Sequence, residues 1–192
     1  LTPPGETARG IEIEIKLPAD DLDRLREKLR ALGGHPTGAR HFESNDLYDR
    51  DGRELTTRGC ALRLRKTDRG AVLTFKGPAR FEDGAKKRAE HETAVSDPEA
   101  TERILAGVGL IPRFRYEKWR EDWALEKCAI ALDETPIGDF IEIEGEPTAI
   151  RRALQRLALD WSESIPYSYP ELYARRRRED PSLPEDMVFE ER

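Results

Sequence analysis

Between Ile11 and Leu17 the chain reads Ile-Glu-Ile-Glu-Ile-Lys-Leu. A period of two belongs to a β-strand, whose successive side chains point to opposite faces. Glu12, Glu14 and Lys16 therefore share one face, and the aliphatic residues share the other. The same device returns at Leu62-Arg63-Leu64-Arg65 and at Ile141-Glu142-Ile143-Glu144. A solvated strand face usually mixes Thr, Ser, Lys and Glu. Here whole rows are acidic or basic, sorted strand by strand, which suits a site that holds an anion together with its metal ions.

The rest of the chain supplies more strands and a few helices. Residues 1–9, with Pro3, Pro4 and Gly5, read as a flexible lead-in to a strand over 10–17. Asp20 and Asp21 offer helix N-caps; Leu22, Leu25, Leu29 and Leu32 recur at helical spacing before Gly33-Gly34. Alternation predicts strands near 41–49, 61–66 and 71–76, with turns at Asp51-Gly52 and Asp68-Arg69-Gly70. A charged loop at Glu82-Asp83-Gly84 leads to a strand over 86–95. Asp97-Pro98 opens a second helix with Ile104, Leu105 and Val108 on its apolar side and Gly109 near its end. Strands are expected at 114–124, 127–133 and 139–145, then a helix near 148–158 that buries Ile150, Leu154 and Leu157, and a short helix through Arg175–Arg178.

About eight strands with few covering helices point to the α+β class and a closed eight-stranded antiparallel β-barrel. Isoleucines in the lumen would leave the helical leucines without an apolar sheet face to bury against. The economical solution turns the aliphatic residues outward beneath the helices and lines a solvated tunnel with charge. The inward set is then Glu12, Glu14, Lys16, Arg63, Arg65, Lys76, Arg88, Glu90, Glu92, Lys118, Arg120, Asp133, Glu142 and Glu144.

A length of 192 residues fits one domain, taken as 10–178, with a Pro- and acid-rich, loosely ordered tail over 179–192. Charged residues make up 38% of the chain, well above the usual ~25%, so charge has work to do beyond solubility. A net charge of −6 argues against a general binder of nucleic acid or anionic membrane but allows a local basic cavity. No apolar run is long enough to span a bilayer, and Cys60 and Cys128, each on the aliphatic parity of its strand, read as buried thiols. The expectation is a cytoplasmic monomer or homodimer with no nucleic-acid or membrane partner.

Seven bases and seven acids in one lumen need compensation. Arg forks and Lys ammonium groups spaced two apart can surround phosphate oxygens. The glutamates offer hard oxygen ligands of the kind Mg²⁺ or Mn²⁺ accepts. Together they suggest a metal-chelated polyphosphate. His35, His41 and His91 show no ligand spacing, the tract Ala174–Glu179 reads as a solvated helix face, and Trp119 and Trp123 are expected to pack outward. No Gly-rich phosphate loop or nucleophile elbow is present.

In this order the motifs resemble the CYTH superfamily, the triphosphate tunnel metalloenzymes. Glu12-x-Glu14-x-Lys16 is similar to the family's ExExK signature. Ala61-Leu62-Arg63-Leu64-Arg65, Leu73-Thr74-Phe75-Lys76-Gly77-Pro78, Arg88-x-Glu90-x-Glu92, Lys118-x-Arg120, Leu132-Asp133 and Phe140-x-Glu142-x-Glu144-Gly145 follow in sequence, and Ser168-Tyr169-Pro170-Glu171-Leu172 resembles a motif near the C-terminus of many members. The resemblance implies a tunnel that binds a triphosphate with Mg²⁺ or Mn²⁺. It makes Glu12, Glu14, Asp133, Glu142 and Glu144 metal residues, with Glu90 and Glu92 in support. Lys16, Arg63, Arg65, Lys76, Arg88, Lys118 and Arg120 become the phosphate holders, and Glu14, Lys16 and Arg63 stand nearest the chemistry. Hydrolysis of inorganic or thiamine triphosphate is the leading expectation. An adenylyl cyclase forming cyclic AMP and pyrophosphate from ATP is the runner-up, and a non-catalytic triphosphate or polyphosphate-binding module is the third reading.

Overall fold

The computed structural model describes residues 11–82 and 85–190. The lead-in over 1–9, Gly10, the Asp83-Gly84 part of the charged loop and residues 191–192 of the tail lie outside the described residues. In chain order the elements are β1 (Ile11–Ala19), α1 (Leu22–Ala31), β2 (His35–Pro36), β3 (His41–Asp49), α2 (Glu54–Thr57), β4 (Ala61–Thr67), β5 (Gly70–Lys76) and β6 (Arg80–Glu82). They continue with β7 (Ala85–Val95), α3 (Pro98–Gly107), β8 (Ile111–Leu125), β9 (Cys128–Thr135), β10 (Gly138–Glu144), α4 (Pro147–Leu157) and α5 (Tyr169–Glu179). β2, β6 and α2 are too short to leave a periodic signal, which is why the sequence did not announce them.

The pairing order β1-β10-β9-β8-β3-β4-β5-β7 returns to its start because β7 also pairs with β1. The fold is thus the α+β, closed eight-stranded antiparallel β-barrel expected from the alternation. The described residues divide into two compact units, one of residues 11–41, 80–82, 85–88 and 119–166, the other of residues 42–79, 89–118 and 167–190.

In the first unit the aliphatic faces of the strands merge with two helices. Ile13, Ile15 and Leu17 of β1, Ile141 and Ile143 of β10, and Ile130 and Leu132 of β9 pack with Leu25 and Leu29 of α1 and Ile150, Leu154 and Leu157 of α4. Asp21 starts α1 by accepting from the Arg24 N–H at 2.9 Å. Lys28 Nζ donates to the Leu157 carbonyl at 2.6 Å and ties α1 to α4. Trp123 is buried in this cluster, as expected, whereas Trp119 is half-buried with the Arg40 guanidinium 4.2 Å from its ring centre. Cys60 and Cys128 are both buried free thiols, and burial, with Glu126 nearby, pushes the Cys128 thiol up to about 11.

In the second unit Leu64, Ala71, Tyr48 and Leu105 form a smaller core with Leu62, Leu73, Val95 and Leu110. α3 contributes only Leu105 to it. Ile104 and Val108, expected on the buried side, are 66% and 54% exposed, because this modest cluster offers no room for a wider apolar stripe. α5 begins six residues before the expected Arg175, at Tyr169, with Glu171 accepting from the Ser168 N–H at 2.7 Å and its hydroxyl at 2.6 Å. The tail is another correction. Met187 is fully buried, its N–H donates to the Arg115 carbonyl at 2.9 Å, and its carbonyl accepts from Glu117 at 2.9 Å. A fully buried side chain and two backbone bonds to β8 hold a segment whose composition suggested looseness.

Candidate active site

On β1 and β10 of the first unit, Glu14 stands opposite Glu144 and Lys16 opposite Glu142. Cross-strand partners share a face, so all four side chains lie on the side away from the isoleucines. The floor of this face is low, since Ala129 and Ala131 of β9 stand opposite Glu144 and Glu142. Arg120 grips Asp133 with both ends of its fork, Nε to Oδ1 at 2.7 Å and Nη2 to Oδ2 at 2.6 Å, and also bonds Glu142. Lys16 Nζ approaches the other oxygen of Glu142 at 3.3 Å. Lys86 of β7 reaches Glu14 at 3.1 Å. Gly145 fixes the end of β10, because a Cβ there would meet the Lys127 carbonyl oxygen at 3.1 Å and Cys128 Sγ at 3.2 Å.

In the second unit a ladder of cross-strand neighbours runs from Leu47 through Arg63 and Thr74 to Glu92. Thr74 donates to Glu92 at 2.6 Å, and Arg63 reaches Thr74 at 3.3 Å, Glu92 at 3.4 Å and the Tyr116 hydroxyl at 3.4 Å. Burial alone would lower the Arg63 pKa. The Tyr116 hydroxyl and the Glu43 and Glu90 carboxylates outweigh it and raise the pKa above the usual arginine value, so the cation is fixed. Burial would likewise raise Glu92, but the Thr74 hydroxyl and the Arg65 and Arg63 charges hold its carboxyl below the ordinary range. Glu43, 1% exposed, lies 3.5 Å from both Arg65 and Lys118. Lys118 Nζ also sits 5.2 Å from the Tyr169 ring centre, and Lys76 is held by Glu90 at 2.6 Å.

The first unit therefore gathers Glu14, Lys16, Arg120, Asp133 and Glu142 into contact, with Glu12, Glu144 and Arg88 half-buried on its strands. The second gathers Arg63, Arg65, Lys76, Lys118, Glu90 and Glu92. Both oxygens of Asp133 are engaged by Arg120. Sequence reasoning missed Glu43, Thr74, Lys86 and Tyr116. Parity could have found Lys86, which is two residues before Arg88, and Tyr116, two before Lys118; Glu43 and Thr74 stand in segments whose alternation is not charged.

Among the described residues no group of three or more His, Cys, Asp or Glu side chains is placed to hold a metal ion by itself. A divalent ion that arrives with phosphates asks for less, because Mg²⁺ commonly takes one or two carboxylates and fills its remaining positions with water and phosphate oxygens. Glu14 facing Glu144 offers such a pair. Like charges directly opposite one another destabilise a sheet unless a cation offsets them. The pair fits a divalent ion, and Glu12 and Glu142 stand on the same strand faces.

Fold and site together describe an α+β antiparallel barrel with ionised strand faces. The CYTH domain family model matches residues 10–165, and the chain belongs to that family. Enzymes of this family depend in general on divalent metal. A candidate adenylate cyclase of Methanocaldococcus jannaschii is 33% identical over 141 residues, covering 70% of this chain and 76% of that protein. A solved structure from Pyrococcus horikoshii matches with a TM-score of 0.73 at 27% identity, over 86% of this chain and 99% of that one. A candidate adenylyl cyclase from Hippeastrum, described as having a dominant triphosphatase activity, has the same fold with a TM-score of 0.64 at 22% identity, over 90% of this chain and 98% of that one. Among the described residues no helix is long and apolar enough to cross a membrane.

Proposed function

We propose that the protein is a divalent-metal-dependent triphosphate phosphohydrolase acting on inorganic triphosphate or a small organic triphosphate. One observation carries the reading. On the outward face of the second unit the ion pairs are short, with Lys66–Glu102 and Arg115–Asp46 both at 2.7 Å. On the opposite face Lys76 is held by Glu90 at 2.6 Å, whereas Arg63 and Arg65 stand 3.4–4.0 Å from Glu43, Glu90 and Glu92. Charge-assisted hydrogen bonds close to ~2.7–2.9 Å when nothing else is required of them. Two arginines held at this distance by shared acids are ready to turn to phosphate oxygens.

In this reading Lys16, Arg63, Arg65, Lys76, Arg88, Lys118 and Arg120 bind the phosphates, and Glu90, Glu92 and Asp133 hold the basic side chains in place. Glu12, Glu14, Glu142 and Glu144 hold Mg²⁺ or Mn²⁺, which when bound offsets the charge that develops on the phosphate oxygens. Glu14 and Lys16 orient the terminal phosphoryl group, and Arg63, always cationic, supports its charge through the transfer to water. The dominant triphosphatase activity described for the Hippeastrum relative supports hydrolysis over cyclisation. The cyclase name of the archaeal relative supports a second reading, in which ATP yields cyclic AMP and pyrophosphate.

The test is a panel of inorganic triphosphate, thiamine triphosphate and ATP, each with Mg²⁺ and with Mn²⁺, reading phosphate, pyrophosphate and cyclic AMP separately. Metal-dependent release of phosphate with pyrophosphate from inorganic triphosphate is expected. Robust cyclic AMP from ATP, with inorganic triphosphate acting only as an uncleaved inhibitor, would replace the hydrolase with the cyclase. Tight binding without any product would leave a binding module.

A further inference from the structure

Across β1 and β10 the two charged rows are not equivalent. One row pairs a base with an acid, Lys16 with Glu142; the next pairs acid with acid, Glu14 with Glu144. The second row pairs no base with its acids across the two strands, and a cation that reaches Glu14 comes from a third strand. Lys86 on β7, the other neighbour of β1, places its ammonium 3.1 Å from Glu14 Oε1, with the lysine 13% and the glutamate 16% exposed. Lys86 shares the parity of Arg88, so it stands on the charged side of its strand rather than in solvent by accident.

We propose that Lys86 is a resident counter-ion of Glu14, occupying in the metal-free protein the charge position beside that carboxylate that a divalent ion takes on binding. The inference rests on the metal reading given above and assigns it a competitor. An ammonium and a divalent ion beside the same carboxylate repel one another strongly at partial burial, so the two cannot both remain against Glu14. Lysine is suited to give way: its charge sits at the end of a flexible four-carbon stem and makes a single point contact, unlike the two-pronged grip of Arg120 on Asp133. On metal binding the ammonium turns from the carboxylate to the phosphates that accompany the metal. Lys86 thereby links the two ligands, disfavouring metal alone and favouring metal together with triphosphate.

This predicts two changes of opposite sign. Lys86→Met keeps the stem and removes the charge. Titrated calorimetrically with Mn²⁺ alone, it should bind the ion at least about threefold more tightly than wild type. Titrated with inorganic triphosphate in the presence of chelator, it should bind at least about threefold more weakly. Lys86→Arg, which restores the charge, should return both values toward wild type. A merely structural lysine would move both affinities the same way or neither. Unchanged or weaker Mn²⁺ binding in a folded Lys86→Met protein overturns the proposal, as does failure of wild type and variant alike to bind Mn²⁺ without phosphate. In that last case, Mn²⁺ uptake in the presence of triphosphate would leave the metal reading standing while the role of Lys86 falls; no uptake under either condition would remove both. If Lys86→Met fails to fold without metal, Lys86→Gln carries the same measurements, and loss of folding that Mn²⁺ restores supports the proposal.

Discussion

Glu14 and Glu144 face one another directly across the β1–β10 pair. Two carboxylates so placed cost the sheet up to about 1 kcal/mol relative to a neutral pair. Glu144→Gln should therefore change metal-free stability by no more than about 1 kcal/mol, while its melting temperature stops responding to Mn²⁺ and its metal-supported turnover disappears. Differential scanning fluorimetry with and without Mn²⁺ tests this. A variant that still shows the full Mn²⁺ response would take Glu144 out of the metal site.

Arg120 and Asp133 form the opposite kind of pair. Asp133 is fully buried and accepts from Arg120 with both oxygens. Removing only the arginine takes the two-pronged partner from a buried carboxylate, so Arg120→Met should destabilise by about 3–5 kcal/mol in urea unfolding. The double variant Arg120→Met, Asp133→Leu should recover a large part of that loss. Additive losses in the double-mutant cycle would show that the two residues act independently.

Arg63→Ala and Arg65→Ala address binding more than folding. Phosphate contacts are common to every triphosphate, so each variant should raise KM or lower kcat by about tenfold or more for inorganic triphosphate, thiamine triphosphate and ATP alike. An effect on one substrate only would move these arginines to the part of the site that reads the leaving group.

Asp49 gives a pH prediction with a definite sign. Burial would raise its pKa, but the Leu55 and Thr56 N–H groups, the Thr56 hydroxyl and the Arg50 N–H lower it below the usual carboxylate value. With the folded pKa below the unfolded one, its contribution is complete above about pH 4 and is lost as pH falls through the folded value. Asp49→Asn should cost about 1–3 kcal/mol at neutral pH and flatten the acid side of the stability profile. Urea midpoints from about pH 2 to 7 would show it, and an acid limb as steep as that of wild type would refute the assignment.

The charged rows were legible because each strand declares its two faces separately. Glu12, Glu14, Arg63, Arg65, Glu142 and Glu144 all alternate with aliphatics, and the aliphatic partners lie under helices where such helices exist, as Ile141 and Ile143 do with α4. What could not be read was pairing between distant strands. The match of Lys86 to Glu14 depends on β7 lying beside β1, and the match of Arg63 to Tyr116 spans 53 positions of sequence. Helical periodicity misled at α3 because it reports which side could be buried and carries no information on how much core is waiting there. Ile104 and Val108 satisfy the pattern and remain in solvent.

Strict two-sidedness has a consequence for how this gene can change. In β10 a step of one residue exchanges Glu142 and Glu144 with Ile141 and Ile143, sending ionised groups beneath α4 and apolar ones onto the charged face. A single-codon deletion there should be worse than nearly any substitution. The same deletion at Pro136 or Ile137, in the turn that joins β9 to β10, leaves both strands in phase. Length variation among descendants of this sequence should therefore gather at turns, and a scan of one-residue deletions should trace the strands as a map of intolerance.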